Sequence, residues 1–132
     1  MSENAKTASG RVAVITGASR GIGAAIAETL RDAGYRVASF DISDAAPEGV
    51  LGVACNVTDS VSVDAAFTKV ESELGPVEVL VANAGITRDT LLLRMSDDDW
   101  QKVIDVNLSG AFRVVKRATR GMMKQRFGRI VA

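Results

Sequence analysis

The stretch Thr16-Gly17-Ala18-Ser19-Arg20-Gly21-Ile22-Gly23 joins a strand-like segment to a helix-like one. Before it, residues 11–16 form a short, nearly all-apolar, β-branched run, typical of a strand buried on both faces of a parallel sheet. After it comes a helical pattern that Gly34 ends, since glycine is common just past a helix C-terminus. The apolar face of that helix is predicted to be Ile22, Ile26, Leu30 and Ala33. The sequence therefore predicts a strand, a glycine loop and a helix in succession.

Each glycine of this loop has a physical task. Gly17 permits the sharp turn out of the strand, Gly21 lets the backbone come close to a pyrophosphate, and Gly23 lets the helix pack tightly on the sheet. The free N–H groups of the first helical turn would then face the phosphates, assisted by the helix dipole. A nucleoside-triphosphate loop would need a lysine, and none follows Gly23. An ordinary tight turn is disfavoured because strand, helix and a downstream acidic residue all stand where a dinucleotide loop needs them.

The alternation of strands and helices continues along the chain. Further strands are predicted at 37–40, 50–54 and 77–82, with residues 130–132 opening a fifth. Asp59 is expected to cap a second helix, and the cluster 96–99 to begin the longest one. The buried stripe predicted for the longest helix is Trp100, Val103, Ile104, Asn107, Ala111, Val115, Ala118 and Met122. The pattern indicates an α/β protein with a Rossmann-type, doubly wound parallel sheet, incomplete, of about four strands plus the start of a fifth.

Composition narrows the possible functions. The chain of 132 residues suits one domain, with 1–10 as a polar leader expected to be disordered and 11–132 as the folded part. Sixteen basic and 16 acidic residues give zero net charge, which argues against nucleic-acid and membrane-surface partners. With no histidine and one cysteine, Cys55, we expect neither histidine-based nucleophiles nor a metal site. Without a secretion signal, the cytoplasm is the default compartment.

The spacing Thr-Gly-x-x-x-Gly-x-Gly resembles that of the short-chain dehydrogenase/reductase family, and the resemblance runs through 11–132. The stretch 80–86 is similar to the family's Asn-Ala-Gly motif, which supports the sheet and borders the cofactor. Asn107 is similar to the asparagine of the family's catalytic tetrad, and 128–131 resembles the lead-in to the strand that ends at the catalytic serine. Within the family, 86–95 most resembles bacterial 3-oxoacyl-acyl-carrier-protein reductases.

The resemblance implies an oxidoreductase of fatty acid biosynthesis that transfers a hydride between NAD(H) or NADP(H) and a carbonyl. The implied substrate is a small molecule or a 3-oxoacyl group on an acyl carrier, and the complete protein would be a homo-oligomer, a dimer or tetramer. Asn107 is the implied catalytic residue. The predicted cofactor-binding residues are Gly17, Ser19, Arg20, Gly21, Ile22, Gly23, Asp41, Asn56, Val57, Asn83, Ala84 and Gly85.

Asn107 also stands out as an amide in an otherwise apolar helical stripe. A buried amide without partners costs about 1–3 kcal/mol, so something must satisfy it. One interpretation is a core asparagine that bonds local backbone; the resemblance implies instead that it holds a water in a proton relay. The two are compatible, because an asparagine that loosens its own helix can also hold that water.

The choice between NAD(H) and NADP(H) rests on conflicting signals. Asp41 ends the second predicted strand, where an acidic residue would bond the adenosine ribose hydroxyls of NAD. Arg20 stands where NADP-using family members often carry a basic residue, and the subgroup resemblance also favours NADP(H). Local physics favours NAD(H), since Ile42 follows Asp41 and supplies no second positive charge. Asn56 departs from the aspartate usual in the family, although its side-chain carbonyl can still accept a hydrogen bond from adenine.

The family's chemistry also uses a serine and a Tyr-x-x-x-Lys motif. The sole tyrosine, Tyr35, is followed four residues later by Ser39 and precedes the second strand, so it is excluded from that role. The serine, tyrosine and lysine are expected beyond Ala132, and the chain by itself is predicted to be inactive. The alternative to a piece of a carbonyl reductase is a catalytically inactive nucleotide-binding fragment or relic, with no chemistry of its own.

Overall fold

The computed structural model describes residues 10–132, so 1–9 of the predicted leader lie outside the described part. In this described part of the chain, five parallel strands form one sheet in the order β3-β2-β1-β4-β5. Their bounds are β1 Val12–Thr16, β2 Arg36–Asp41, β3 Leu51–Ala54, β4 Val79–Val81 and β5 Arg129–Val131. The predicted fold class is confirmed, and each of the five predicted strands is present with its ends shifted by a few residues.

Within residues 10–132, four α-helices lie between these strands. They are α1 Gly21–Asp32, α2 Ser60–Glu73, α3 Asp97–Ile104 and α4 Gly110–Gln125. The predicted cap of α2 is confirmed, since Asp59 Oδ1 accepts from Val61 N at 2.9 Å. The predicted helix start at 96–99 is also confirmed, and Ser96 caps it there, its Oγ accepting from Asp99 N at 3.0 Å. Within 10–132, no helix has the length and apolar character needed to cross a membrane.

The centre of the sheet is covered on both faces, as its apolar strands predict, whereas all three residues of β5 are exposed. One face packs against α2 and α4, where Phe40 and Phe67 meet edge to face with ring centroids 5.1 Å apart. The other packs against α1 and includes Ile15, Ala27 and Val37. Of the predicted α1 face, Ile26 and Leu30 pack against this second core, whereas Ile22 is 76% exposed. Its burial was therefore wrongly predicted.

The longest predicted helix differs most from the expectation. Between α3 and α4 lies a π-helical segment, Asp105–Ser109, which we call the π turn. Beyond it the buried residues are Gly110, Val114, Ala118 and Met122, so burial is confirmed for Ala118 and Met122 but not for Ala111 and Val115. Trp100, before it, is 55% exposed. A π turn contains more residues per turn than an α-helix, so a regular helical period extended through it is displaced by about one position.

Candidate functional site

All twelve predicted cofactor-binding residues line one cleft at the carboxyl ends of the strands. Its volume is about 820 Å³, within the roughly 300–1,000 Å³ usual for small-molecule sites. The cleft lies across the ends of β1 and its neighbours β2 and β4. Since the chain winds from β1 toward opposite edges of the sheet there, this is the switch point at which open α/β sheets bind ligands.

The glycine loop has the geometry that its spacing predicts. Gly17 has a φ of +73°, and its N–H donates to Phe40 O at 2.7 Å. A β-carbon on Gly23 would lie 2.2 Å from Gly17 O and 2.6 Å from Asn83 Nδ2, so α1 packs on the loop without room for a side chain. Gly21, in contrast, has a φ of +62° and open space where its β-carbon would be. The loop therefore leaves its backbone accessible from the cleft at Gly21.

Thr16 fastens the end of β4 to the end of β1. Its buried hydroxyl accepts from the N–H groups of Asn83 and Ala84, both at 2.9 Å. Asn83 Nδ2 in turn donates to Gly17 O at 3.3 Å. No role of its own was predicted for Thr16, although a hydroxyl at the end of an apolar strand was the available signal.

Asp41 joins the end of β2 to the glycine loop. One carboxylate oxygen accepts from Ser19 Oγ at 2.6 Å, and the other accepts from Ile42 N at 2.8 Å. Partial burial would raise the pKa of Asp41, but the hydrogen bonds from Ser19 and Ile42 and the charge of Arg20 outweigh it, so the pKa lies below the ordinary value of 3.8. Asp41 therefore presents a fixed negative charge at the cleft at neutral pH.

The turn after β3 provides another wall. Asn56 and Val57 line the cleft, but Asn56 Oδ1 already accepts from Thr58 N at 3.0 Å and Thr58 Oγ1 at 2.6 Å. The side-chain oxygen expected to face adenine thus caps its own turn instead. Cys55 is buried beside them, and burial raises the pKa of its thiol to about 11, as is typical of a cysteine that packs as a small hydrophobic side chain.

Asn107 lies in the π turn and outside the cleft lining. Contrary to the prediction, its side chain is exposed rather than buried in an apolar stripe. Its Oδ1 accepts from Ile86 N at 2.8 Å, and its Nδ2 donates to Ile86 O at 3.0 Å. Its partner is thus a distant loop and not local backbone. The π turn in which it lies is a kind of segment common at functional sites. Asn107 holds Ile86, which does line the cleft.

Six further residues line the cleft and were not predicted: Phe40, Ile42, Ser43, Cys55, Ile86 and Val106. Each lies one or two residues from a predicted site residue, Val106 next to Asn107 and Ser43 two after Asp41, so proximity in the sequence was their signal. Tyr35 precedes β2, at the amino end of the sheet, whereas the cleft is at the carboxyl end. The fold therefore agrees with its exclusion from the site.

A parallel sheet with a glycine loop at its switch point defines a dinucleotide-binding fold. Residues 11–132 match the model of the short chain dehydrogenase family, and the chain belongs to that family.

Two curated relatives carry the name 3-oxoacyl-[acyl-carrier-protein] reductase. MabA of Mycobacterium avium is 52% identical over 121 residues, and FabG of Escherichia coli (strain K12) is 45% identical over 130 residues. Each match covers 92% of this chain but 48% and 53% of the relative, so the chain spans about half the length of these proteins. The crystal structure of gox2181 has a TM-score of 0.87 and 35% identity, with 92% of this chain and 52% of that chain covered.

Proposed function

We propose that this chain is the dinucleotide-binding part of an NAD(P)-dependent oxidoreductase that reduces a 3-oxoacyl thioester, carried on an acyl carrier protein, to the hydroxyl. The observation that carries the proposal is the cleft, in which all twelve predicted cofactor residues come together around Gly21. The substrate class rests on the reductase relatives, whose names specify it. A cytoplasmic homo-oligomer is part of the same proposal.

The residues of the cleft fit a dinucleotide. The open space at Gly21, next to the first N–H groups of α1, suits a pyrophosphate, and a β-carbon there would project into that space. Gly17 and Gly23 form the floor of the loop, and Asn83 and Gly85 border the opposite side. When bound, the nicotinamide ring supplies or accepts the hydride. The chain's own residues would bind and orient the dinucleotide.

Within this proposal the preferred cofactor is NAD(H). A carboxylate about 4 Å from a 2′-phosphate charge costs on the order of 4 kcal/mol at an effective dielectric of about 20. Asp41 is held in place by Ser19 and stays ionised, whereas Arg20 is exposed and makes no ion pair with it within 4 Å. A fixed carboxylate favours ribose hydroxyl donors over a phosphate. A solvated arginine compensates only in part.

The cofactor preference is tested with Asp41→Asn, which keeps an acceptor oxygen for Ser19 and removes the charge. We expect the dissociation constant for NADPH divided by that for NADH, both measured by calorimetric titration, to fall about tenfold or more. This change is a shift of preference toward NADPH. Ser19→Ala is the matched control, because it removes the hydrogen bond at 2.6 Å but leaves the carboxylate charge. Unchanged discrimination in Asp41→Asn, or in the simpler Asp41→Ala, would contradict the assignment.

Catalysis needs more than the residues of this chain. We propose that Asn107 takes part by holding the loop at Ile86 and a relay water, with the serine, tyrosine and lysine supplied from beyond Ala132. Each amide group of Asn107 makes one hydrogen bond to Ile86, which leaves a second N–H and a second lone pair for the relay water. The 132 residues alone are then inactive. The alternative is a protein that binds the dinucleotide without chemistry.

Reading the coding sequence past Ala132 separates these possibilities. A downstream serine followed by Tyr-x-x-x-Lys, with oxidation of NADH or NADPH by an acetoacetyl thioester of acyl carrier protein, supports the reductase. A stop codon at that point, with dinucleotide binding retained, supports the alternative. Absence of binding to both NADH and NADPH by the protein expressed from its own coding sequence contradicts both.

A further inference from the structure

Arg113, on α4, connects two segments that are far apart in the chain. Its Nη1 donates to Val57 O at 3.0 Å and to Asp105 O at 3.4 Å, and its Nη2 donates to Asp105 Oδ1 at 2.8 Å. The side chain is 22% exposed, so water competes only partly for these acceptors. One guanidinium therefore joins the turn after β3 to the start of the π turn.

Both of these segments border the cleft. Val57 lines it from the β3 side. Asp105 opens the π turn, which contributes Val106 to the lining and carries Asn107. Asn107 in turn holds Ile86, on the β4 side of the cleft. A continuous series of contacts thus runs from one wall to the other, and Arg113 is its central member.

The packing around Arg113 leaves little freedom for either segment. A β-carbon on Gly110 would lie 2.8 Å from Val57 Cγ2, so the first turn of α4 is in direct contact with the turn after β3. Contact alone permits sliding, whereas three directed hydrogen bonds fix relative position. The planar fork of arginine reaches these separate acceptors at once, and the single ammonium of lysine does not.

We infer that Arg113 is a positioning residue that sets the spacing between the Val57 and Ile86 walls of the cleft, and thereby the affinity for the dinucleotide. The inference rests on the proposed function and adds a residue that touches neither cofactor nor substrate. Arg113 acts through Val57 and Asp105.

The test compares Arg113→Met with Arg117→Met in the protein expressed from its own coding sequence. Arg117 lies one turn further along α4, and its side chain is 12% exposed. It also pairs with two carboxylates, Asp64 at 2.6 Å and Glu71 at 2.8 Å, but it borders no part of the cleft. Loss of either arginine is expected to lower the melting temperature. Only Arg113→Met is expected to weaken dinucleotide binding, by about tenfold or more, with Arg113→Lys between it and wild type.

Hydrogen exchange of the unliganded protein provides a readout that does not depend on the cofactor. Arg113→Met should speed amide exchange in both 57–59 and 105–110, and Arg117→Met should leave these segments unchanged. Equal loss of affinity in the two variants, or unchanged exchange in Arg113→Met, overturns the inference. If the wild-type protein binds no dinucleotide, the proposed function fails, and the exchange experiment then decides whether Arg113 positions the two segments.

Discussion

At the scale of single residues, the three glycines of the loop are required for different reasons. Gly17 and Gly21 have positive φ angles, which residues with side chains rarely adopt. Gly23 has no such angle, but a β-carbon there would overlap with the Gly17 carbonyl. The motif spacing predicts all three positions. The spacing does not reveal which glycine is required by backbone conformation and which is required by packing.

This difference predicts opposite results for two alanine substitutions. Gly23→Ala should lower the free energy of unfolding by more than about 2 kcal/mol, since the overlap is with rigid backbone. Gly21→Ala should cost only about 1–2 kcal/mol, the strain of a left-handed conformation. It should nevertheless weaken dinucleotide binding severely, because its β-carbon would occupy the open space beside Gly21, which lines the cleft.

Urea unfolding and calorimetric titration of the two glycine variants measure both quantities. Gly10→Ala serves as a control for positive φ, since Gly10 has a φ of +78° and open space but lies outside the cleft. If Gly21→Ala bound the dinucleotide like Gly10→Ala, the pyrophosphate would have to be placed elsewhere.

At the scale of elements, the π turn determines which residues of the following helix are buried and where Asn107 lies relative to the cleft. It separates α3, which has no buried residue, from α4, whose buried residues begin at Gly110 and not at Ala111, the position that one regular period predicts. It also places Asn107 where the amide bonds both backbone groups of Ile86. The sequence marked Asn107 as unusual because it interrupts an apolar stripe. The displaced period has no sequence signal of its own, because the hydrophobic residues on either side are compatible with a regular helix.

The Asn107 contact predicts the effect of Asn107→Asp, which has nearly the same shape. A carboxylate still accepts from Ile86 N, but it cannot donate to Ile86 O and would repel that oxygen. We expect a loss of about 1 kcal/mol in unfolding free energy and faster amide exchange over 84–88. Gln101→Glu, an equivalent charge change at an exposed position of α3, should leave that exchange unchanged. Equal exchange in both variants would show that Asn107 does not hold the loop.

At the scale of the whole molecule, the sheet is tied together at the end opposite the cleft by a buried ion pair. Arg11, just before β1, donates to Glu78 Oε2 at 2.6 Å just before β4, and both side chains are at most 10% exposed. The Arg11 guanidinium also stacks 3.7 Å from the ring centroid of Phe127, which precedes β5. One cluster therefore joins the starts of three strands.

Removing one member of this pair should be costly. Arg11→Met leaves the Glu78 carboxylate buried and unpaired, and we expect the unfolding free energy to fall by about 3–5 kcal/mol. The double variant Arg11→Met/Glu78→Leu should recover most of this loss, since no buried charge remains. Lys69→Met is the exposed control. Lys69 and Glu73 lie 4.0 Å apart and are exposed to solvent, and such a pair contributes less than about 1 kcal/mol to the free energy of unfolding. A double variant as unstable as Arg11→Met alone would rule out charge burial as the cause.

The sequence by itself determined the order of strands and helices and the glycine loop, and its resemblance to a known family indicated twelve of the residues that line the cleft. The order of elements and the loop follow from local properties: hydrophobic period, caps, turn residues and the rule that parallel strands present their carboxyl ends at one edge. Only the tertiary structure decided the partners. Arg11 with Glu78, Asn107 with Ile86 and Arg113 with Val57 join residues 21 to 67 positions apart. Such contacts depend on how the packed elements meet, and no local pattern encodes them. For the same reason, the glycine loop could be predicted from the sequence, whereas the contacts that hold the walls of the cleft together could not.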